Sequence, residues 1–271
     1  MIHVVTAENR RLYTEGLAAM HRLRHAHCDE ERGAVELRVR DGGEYDLFDD
    51  EKAIYLLGLG DQGQVGCAMR LRPAAASSLL NGHFPHLLAC DEPALDAADA
   101  WEISRYVAAP HCLGEGGVAV RAEIRLAALE AVHARGGRRL AGLVDVALLP
   151  RLIGASGWRI RTLGLPAPSA RGVSQAVEIE VTQAAIEDLA ETFGLEHGVT
   201  LELDPAQTGG APPHEVEALV RLARGGSDRS RILAALIRRI LQIQDGTDEE
   251  RLIGMVSYVE ALLRESEGRL H

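Results

Sequence analysis

The sequence predicts a mixed α/β domain followed by a small all-helical segment. Short apolar and β-branched runs alternate with longer stretches at helical spacing from residue 1 to about 203. The stretch DPAQTGGAPPH, Asp204 to His214, has the Pro and Gly density of a linker, and no strand signal follows it. The expected organisation is therefore 1–203 as the main domain, 204–214 as linker and 215–271 as a C-terminal helical segment. With 271 residues and 46% hydrophobic content, the chain can bury a sizeable core.

Each element has its own signal. Ile2 to Val5 is a short apolar strand, and Leu12, Leu17, Met20 and Leu23 give Glu8 to about His27 a helical stripe. Ala53 to Leu59 and Gln64 to Leu71 flank the turn signal Gly60-Asp61-Gln62-Gly63, which predicts an antiparallel hairpin. Pro73 to Ala100 has little periodicity. Trp101 to Ala108 has the aromatic and β-branched content of a buried strand, and a helix is expected from about Val118 to Arg135. Leu140 to Val146 is continuously apolar, Leu148 to Ala155 reads as a short helix, and Trp158 to Leu163 and Val173 to Val181 read as strands. In the tail, helices are expected near Glu215 to Arg224, along the stripe Leu233, Leu236, Ile237, Ile240 and Leu241, and along Leu252, Val256, Val259 and Leu263. The last is preceded by Thr247 and Glu250 in capping-box spacing.

Composition excludes several roles. A formal charge of −11 speaks against nucleic acid, whose nonspecific binding requires neutralising phosphates with Lys and Arg. The longest apolar runs fall short of the roughly 18 residues of a membrane span, so a soluble, cytoplasmic protein is expected. Cys28, Cys67, Cys90 and Cys112 form no C-x-x-C pair, and neither a metal site nor a redox dithiol is expected.

Three polar groups stand out: Arg24 near the end of the first helix, the acidic run Glu44 to Asp50, and Glu102 with Arg105 inside an apolar strand. Period-two alternation places Glu102 and Ser104 on one face and Ile103 and Arg105 on the other. A buried charge there needs a partner or a role in the chemistry. From spacing alone, Glu102 and Arg105 fit a structural ion pair as well as a site, the acidic run fits a solvated loop, and Arg70 fits an exposed strand arginine.

Their order narrows the choice. Arg24, EYDLFD from Glu44, YLLG from Tyr55, RLRP from Arg70, FPHL from Phe84 and WEISR from Trp101 to Arg105 together resemble the acyl-homoserine-lactone synthases, the autoinducer synthases of bacterial quorum sensing. RLIGASGWRIRTLGLP, Arg151 to Pro166, is similar to that family's closing helix and strand. The resemblance runs from about residue 8 to 195.

It implies a GNAT-like acyltransferase fold, with a mixed twisted sheet splayed into a V-shaped acyl cleft. It also implies transfer of an acyl group, from acyl carrier protein or acyl-CoA, to the amine of S-adenosylmethionine, with lactonisation and release of methylthioadenosine. No cofactor is implied beyond these substrates. Arg24, Glu44, Asp46, Asp49 and Arg70 are the implied acceptor-binding residues, and Glu102 and Arg105 the implied catalytic pair, with Glu102 as base. Two positions that usually carry aromatics in that family read Cys28 and Ala34, which predicts an acceptor pocket that is roomier or closed by other residues. The alternative is an N-acyltransferase acting on another amine without lactone formation. Gly142 and Val144 occupy a strand where some members use Thr to read a 3-oxo group, which favours a non-3-oxo chain. The tail is expected to be autonomous and to contribute to a homodimer.

Overall fold

The computed structural model describes residues 1–27, 36–75, 77–90, 95, 98–112, 117–169, 172–206, 208 and 212–224. Its strands are β1 (Ile2–Val5), β2 (Leu37–Arg40), β3 (Gly43–Asp46), β4 (Ile54–Leu59), β5 (Val65–Pro73), β6 (Ala100–Ala108), β7 (Arg139–Asp145), β8 (Ile160–Thr162), β9 (Ala167–Ser169), β10 (Gly172–Glu180) and β11 (Thr200–Leu201). Its helices are α1 (Thr14–His27), α2 (Val118–His133), α3 (Leu149–Ala155), α4 (Gln183–Phe193) and α5 (Pro213–Arg224).

One large sheet runs β11-β1-β4-β5-β6-β7-β10-β8, with β9 on β10. The β1/β11 and β6/β7 pairs are parallel and the others antiparallel, so the sheet is mixed. The interior strand β4 is apolar along its length because both of its faces are covered. On one face Ile54, Leu56, Met69, Leu71, Trp101, Leu140 and Ile179 pack with Ile124, Leu129 and Val132 of α2 and Ile186 and Leu189 of α4. On the other, Val5, Tyr55 and Leu57 pack with Met20 of α1, and Ala100, Ala141 and Ala176 form a floor under Leu80, Leu87, Leu95 and Leu163.

The sheet splays into a V where β6 meets β7. Their pairing runs from Ala100↔Arg139 to Ile103↔Gly142 and stops. Beyond it, β6 pairs with β5 through Ala108, and β7 pairs with β10 through Asp145. At the vertex a Cβ on Gly142 would lie 2.7 Å from Ile103 Cγ2 and 3.1 Å from Ile103 O, so the approach of the two strands requires glycine.

The first helix starts later than the sequence stripe suggests. Arg10–Tyr13 is a 3-10 turn, and Asn9 anchors the chain before it by accepting from Thr6 N and donating to Val4 O and Leu203 O. Three features were not anticipated. The β2-β3 hairpin turns at Asp41 and Gly42, both left-handed (φ 51° and 73°), the Asp-Gly signature of a tight hairpin. The strands β9 and β11 are too short to leave a pattern. Helix α4 carries a legible stripe in Ile186, Leu189, Ala190 and Phe193, with Thr182 accepting from Ala185 N as its cap.

Helix α5 is built into the main core rather than standing apart. Val216 and Val220 are buried with Val5, Leu201 and Leu203, and Glu217 Oε2 lies 2.8 Å from His3 Nε2 on β1. The rest of the C-terminal segment, 225–271, lies outside the described residues, as do Cys28 and Ala34.

Candidate active site

The site is built on the sheet face that α1 covers. Strand β3 presents Glu44 and Asp46 on one side, two residues apart. The chain then turns tightly: Asp46 Oδ1 accepts from Phe48 N, and Asp49 Oδ2 accepts from Asp46 N, both at 2.8 Å. That turn brings the Asp46 and Asp49 carboxylates side by side, an arrangement that requires cations.

Three arginines supply them. Arg24, from the last turns of α1, donates from Nη1 to Asp49 Oδ1 at 2.7 Å and from Nη2 to Asp49 Oδ2 at 3.0 Å and Glu44 Oε1 at 3.2 Å. Arg70, from β5, holds Asp46 bidentately at 2.6 and 3.0 Å, reaches Asp49 Oδ1 at 2.8 Å, and donates from Nε to Ser104 Oγ at 3.1 Å. Arg105 donates from Nε and Nη2 to Asp46 Oδ2 at 3.0 and 2.7 Å, and its Nε lies 3.2 Å from Glu44 Oε1. Tyr55 on β4 donates its hydroxyl to Asp49 Oδ1 at 2.8 Å.

The side chains of Arg24, Glu44, Asp46, Asp49 and Arg70 are at most 3% exposed. Such burial is tolerable because three guanidinium groups balance three carboxylates. Burial alone would raise the Asp46 and Asp49 carboxyls. The hydrogen bonds and charges of Arg70 and Arg105 on Asp46, and of Arg24 and Arg70 on Asp49, overcome this and hold both below the usual carboxylate range. Tyr55 is pushed up by burial and by the Asp49 charge beside it.

Arg105 joins this cluster through a break in the strand. Ser104 pairs with Arg70 and Val107 with Ala68, so Arg105 and Tyr106 together oppose Met69 in a β-bulge, and Arg105 takes φ 53°. The bulge turns Arg105 onto the same face as Glu102 and Ser104, correcting the opposite faces expected from simple alternation. It also leaves Arg105 the most accessible arginine of the cluster, with a 23% exposed side chain.

Glu102 shares that face but is not drawn into the cluster. Its carboxylate accepts from Ser78 Oγ at 2.7 Å and from Leu79 N and Leu80 N at 2.8 Å, at the start of the single wide helical turn Leu79–His83. The structure thus gathers Arg24, Glu44, Asp46, Asp49, Arg70 and Arg105 and sets Glu102 beside them on its own support. Tyr55, Ser104 and Ser78 were not anticipated as members of the site. The first two were legible from register, since Tyr55, Arg70 and Ser104 form one row across β4, β5 and β6.

Most of the chain is similar to known proteins. The family model described as autoinducer synthase matches residues 8–189. An isovaleryl-homoserine lactone synthase of Bradyrhizobium diazoefficiens is 33% identical over 195 residues, covering 72% of this chain and 86% of that relative. The structure of a CoA-dependent acyl-homoserine lactone synthase, BjaI, with MTA superposes with a TM-score of 0.67 at 30% identity, over 76% of this chain and 94% of that one. A second CoA-dependent acyl-homoserine lactone synthase, MesI, gives a TM-score of 0.62 at 28% identity, over 74% and 98% of the two chains.

Proposed function

The chain belongs to the autoinducer synthase family, and we propose that it is an acyl-homoserine-lactone synthase drawing its acyl group from a coenzyme A thioester. The observation that carries the reading is the buried, charge-balanced Arg24–Arg70–Arg105 cluster, set against the strand whose far edge opens into the V. The coenzyme A donor is favoured by the CoA-dependent enzymes among its structural relatives.

In this reading the acyl thioester lies in the V between β6 and β7, and S-adenosylmethionine lies over the cluster. Arg24, Glu44, Asp46, Asp49 and Arg70 are paired with one another, so their work is to fix the acidic turn as one wall of the acceptor site. Arg105, the accessible arginine, receives the substrate carboxylate. Glu102 accepts the proton that the amine must lose before attack, through a bridging water. The amine nitrogen then bonds to the thioester carbonyl, the C–S bond breaks, and the thiol leaves with a proton. Backbone N–H groups of β6 beyond Ile103, freed from β7, are the donors for the intermediate oxyanion.

In the second step the substrate carboxylate attacks the carbon bound to the sulfonium. That C–S bond breaks, methylthioadenosine departs, and the lactone closes. Folding of the bound intermediate supplies much of this rate by proximity. A thioester and a sulfonium are both already activated, so the chemistry draws on no further cofactor. Both substrates are made in the cytoplasm, and the reaction belongs there.

The test is mass-spectrometric analysis of purified protein with S-adenosylmethionine and a panel of short acyl-CoA thioesters. Stoichiometric acyl-homoserine lactone and methylthioadenosine are expected. An acylated product without methylthioadenosine would instead support simple N-acyl transfer. Turnover with acyl carrier protein donors alone would overturn the coenzyme A assignment.

A further inference from the structure

The two oxygens of Glu102 are not equivalent. Oε1 accepts from both Ser78 Oγ and Leu80 N, whereas Oε2 accepts from Leu79 N. A carboxylate offers roughly two acceptor sites per oxygen, so Oε1 is filled and Oε2 retains one. We propose that Ser78 is a positioning residue for acyl transfer: its hydroxyl locks the Glu102 carboxylate so that the remaining lone pair of Oε2 is held for the water that bridges to the acceptor amine. This rests on the reading that Glu102 takes the amine proton.

Three observations support a role directed at Glu102 rather than at the turn itself. Ser78 is 1% exposed, and its hydroxyl is spent on a carboxylate. The turn closes without that hydroxyl, because Ser78 N donates to Ala75 O, Gly82 N donates to Ser78 O, and Asn81 Nδ2 donates to Ala75 O. The turn is also held at its far end, where Leu80 is fully buried and His83 meets the Phe48 ring edge-on at 5.4 Å. The nearby guanidinium groups are engaged elsewhere. Arg72, opposite Glu102 in register, binds Asp50 at 2.6 Å, and Arg70 and Arg105 bind the acidic turn.

The experiment measures kcat and both KM values for Ser78→Ala, Ser78→Thr and Glu102→Gln, with thermal melts of each. Ser78→Ala is expected to lower kcat by roughly 10- to 100-fold through misalignment, with both KM values within about twofold and the melt little changed. Ser78→Thr, which keeps the hydroxyl, is expected to recover most of the loss. Parent-like kcat in Ser78→Ala, while Glu102→Gln is inactive, would overturn the role of Ser78 alone. So would a loss in Ser78→Ala that follows its melt and is not rescued by Thr. Parent-like kcat in Glu102→Gln would instead remove the proton-acceptor reading on which the proposal stands.

Discussion

Arg70 and Asp46 form a two-point pair, Nη1 to Oδ1 at 2.6 Å and Nη2 to Oδ2 at 3.0 Å, and the same Nη1 also reaches Asp49 at 2.8 Å. One planar guanidinium therefore bridges the two carboxylates that the turn forces together. A point charge on a flexible stem could not take both positions and still donate to Ser104.

Arg70→Lys is accordingly expected to behave as a disruptive change. It keeps the charge but loses several charge-assisted hydrogen bonds inside the protein, each worth about 1.5–3 kcal/mol. Urea unfolding should show a loss of at least about 2 kcal/mol, and the KM for S-adenosylmethionine should rise more than that for the acyl donor. An unchanged urea midpoint would mean that the pair contributes little to stability.

The same carboxylates set an acid limit. Asp46 and Asp49 are held below their ordinary range when folded, so their contribution is complete above the unfolded value near about 3.9 and is lost as pH falls through the lower folded values. Stability should be level in this respect above about pH 5 and fall below about pH 4. Asp49→Asn should be less stable at neutral pH and show a shallower acid decline. Urea midpoints taken across that window would reveal whether the two curves converge.

Gly142 controls where the V opens. In Gly142→Ala the new Cβ meets Ile103 Cγ2 at 2.7 Å and Ile103 O at 3.1 Å, so the strands must spread at the vertex. Overpacking of this kind costs about 1–3 kcal/mol. The KM for the acyl donor should rise, and Ile103→Ala in the same chain should restore part of the loss by removing Cγ2. Additive effects of the two substitutions would show that they do not meet.

These relationships differ in how far the sequence discloses them. The hairpin of β4 and β5, the buried strand around Trp101 and helix α2 follow from periodicity and turn residues, which are local. The β2-β3 hairpin was equally legible in Asp41-Gly42 but was masked by the acidic content around it. The cluster was not readable from spacing, because Arg24 and Asp49 are 25 residues apart and meet only through tertiary packing. Its membership came from the resemblance. The bulge at Arg105 is fixed by the neighbouring strand, and alternation alone put that side chain on the wrong face. The support of Glu102 by Ser78 was hidden because the segment between them has no regular pattern.

The last prediction concerns α5, which the linker-like composition of 204–214 had set apart from the main domain. Val216 and Val220 are at most 1% exposed against the core around β1, and Glu217 accepts or shares a hydrogen bond with the fully buried His3 ring, whose other nitrogen lies 3.0 Å from Tyr13 Oη. Truncation after Pro205 would expose that apolar face and leave His3 Nε2 without its partner. Loss of a buried partner alone costs about 1–3 kcal/mol, and each uncovered valine adds about 1.5–3 kcal/mol. Truncation after Arg224 removes none of these contacts. The longer truncated form should therefore melt close to the full chain and retain synthase turnover, while the shorter one should be strongly destabilised. Calorimetry separates the two, and Glu217→Gln in the full chain should reproduce part of the shorter form's loss. Equal melting temperatures for both truncations would show that α5 contributes nothing to the fold, and light scattering on the same samples tests whether 225–271 contributes to dimerisation.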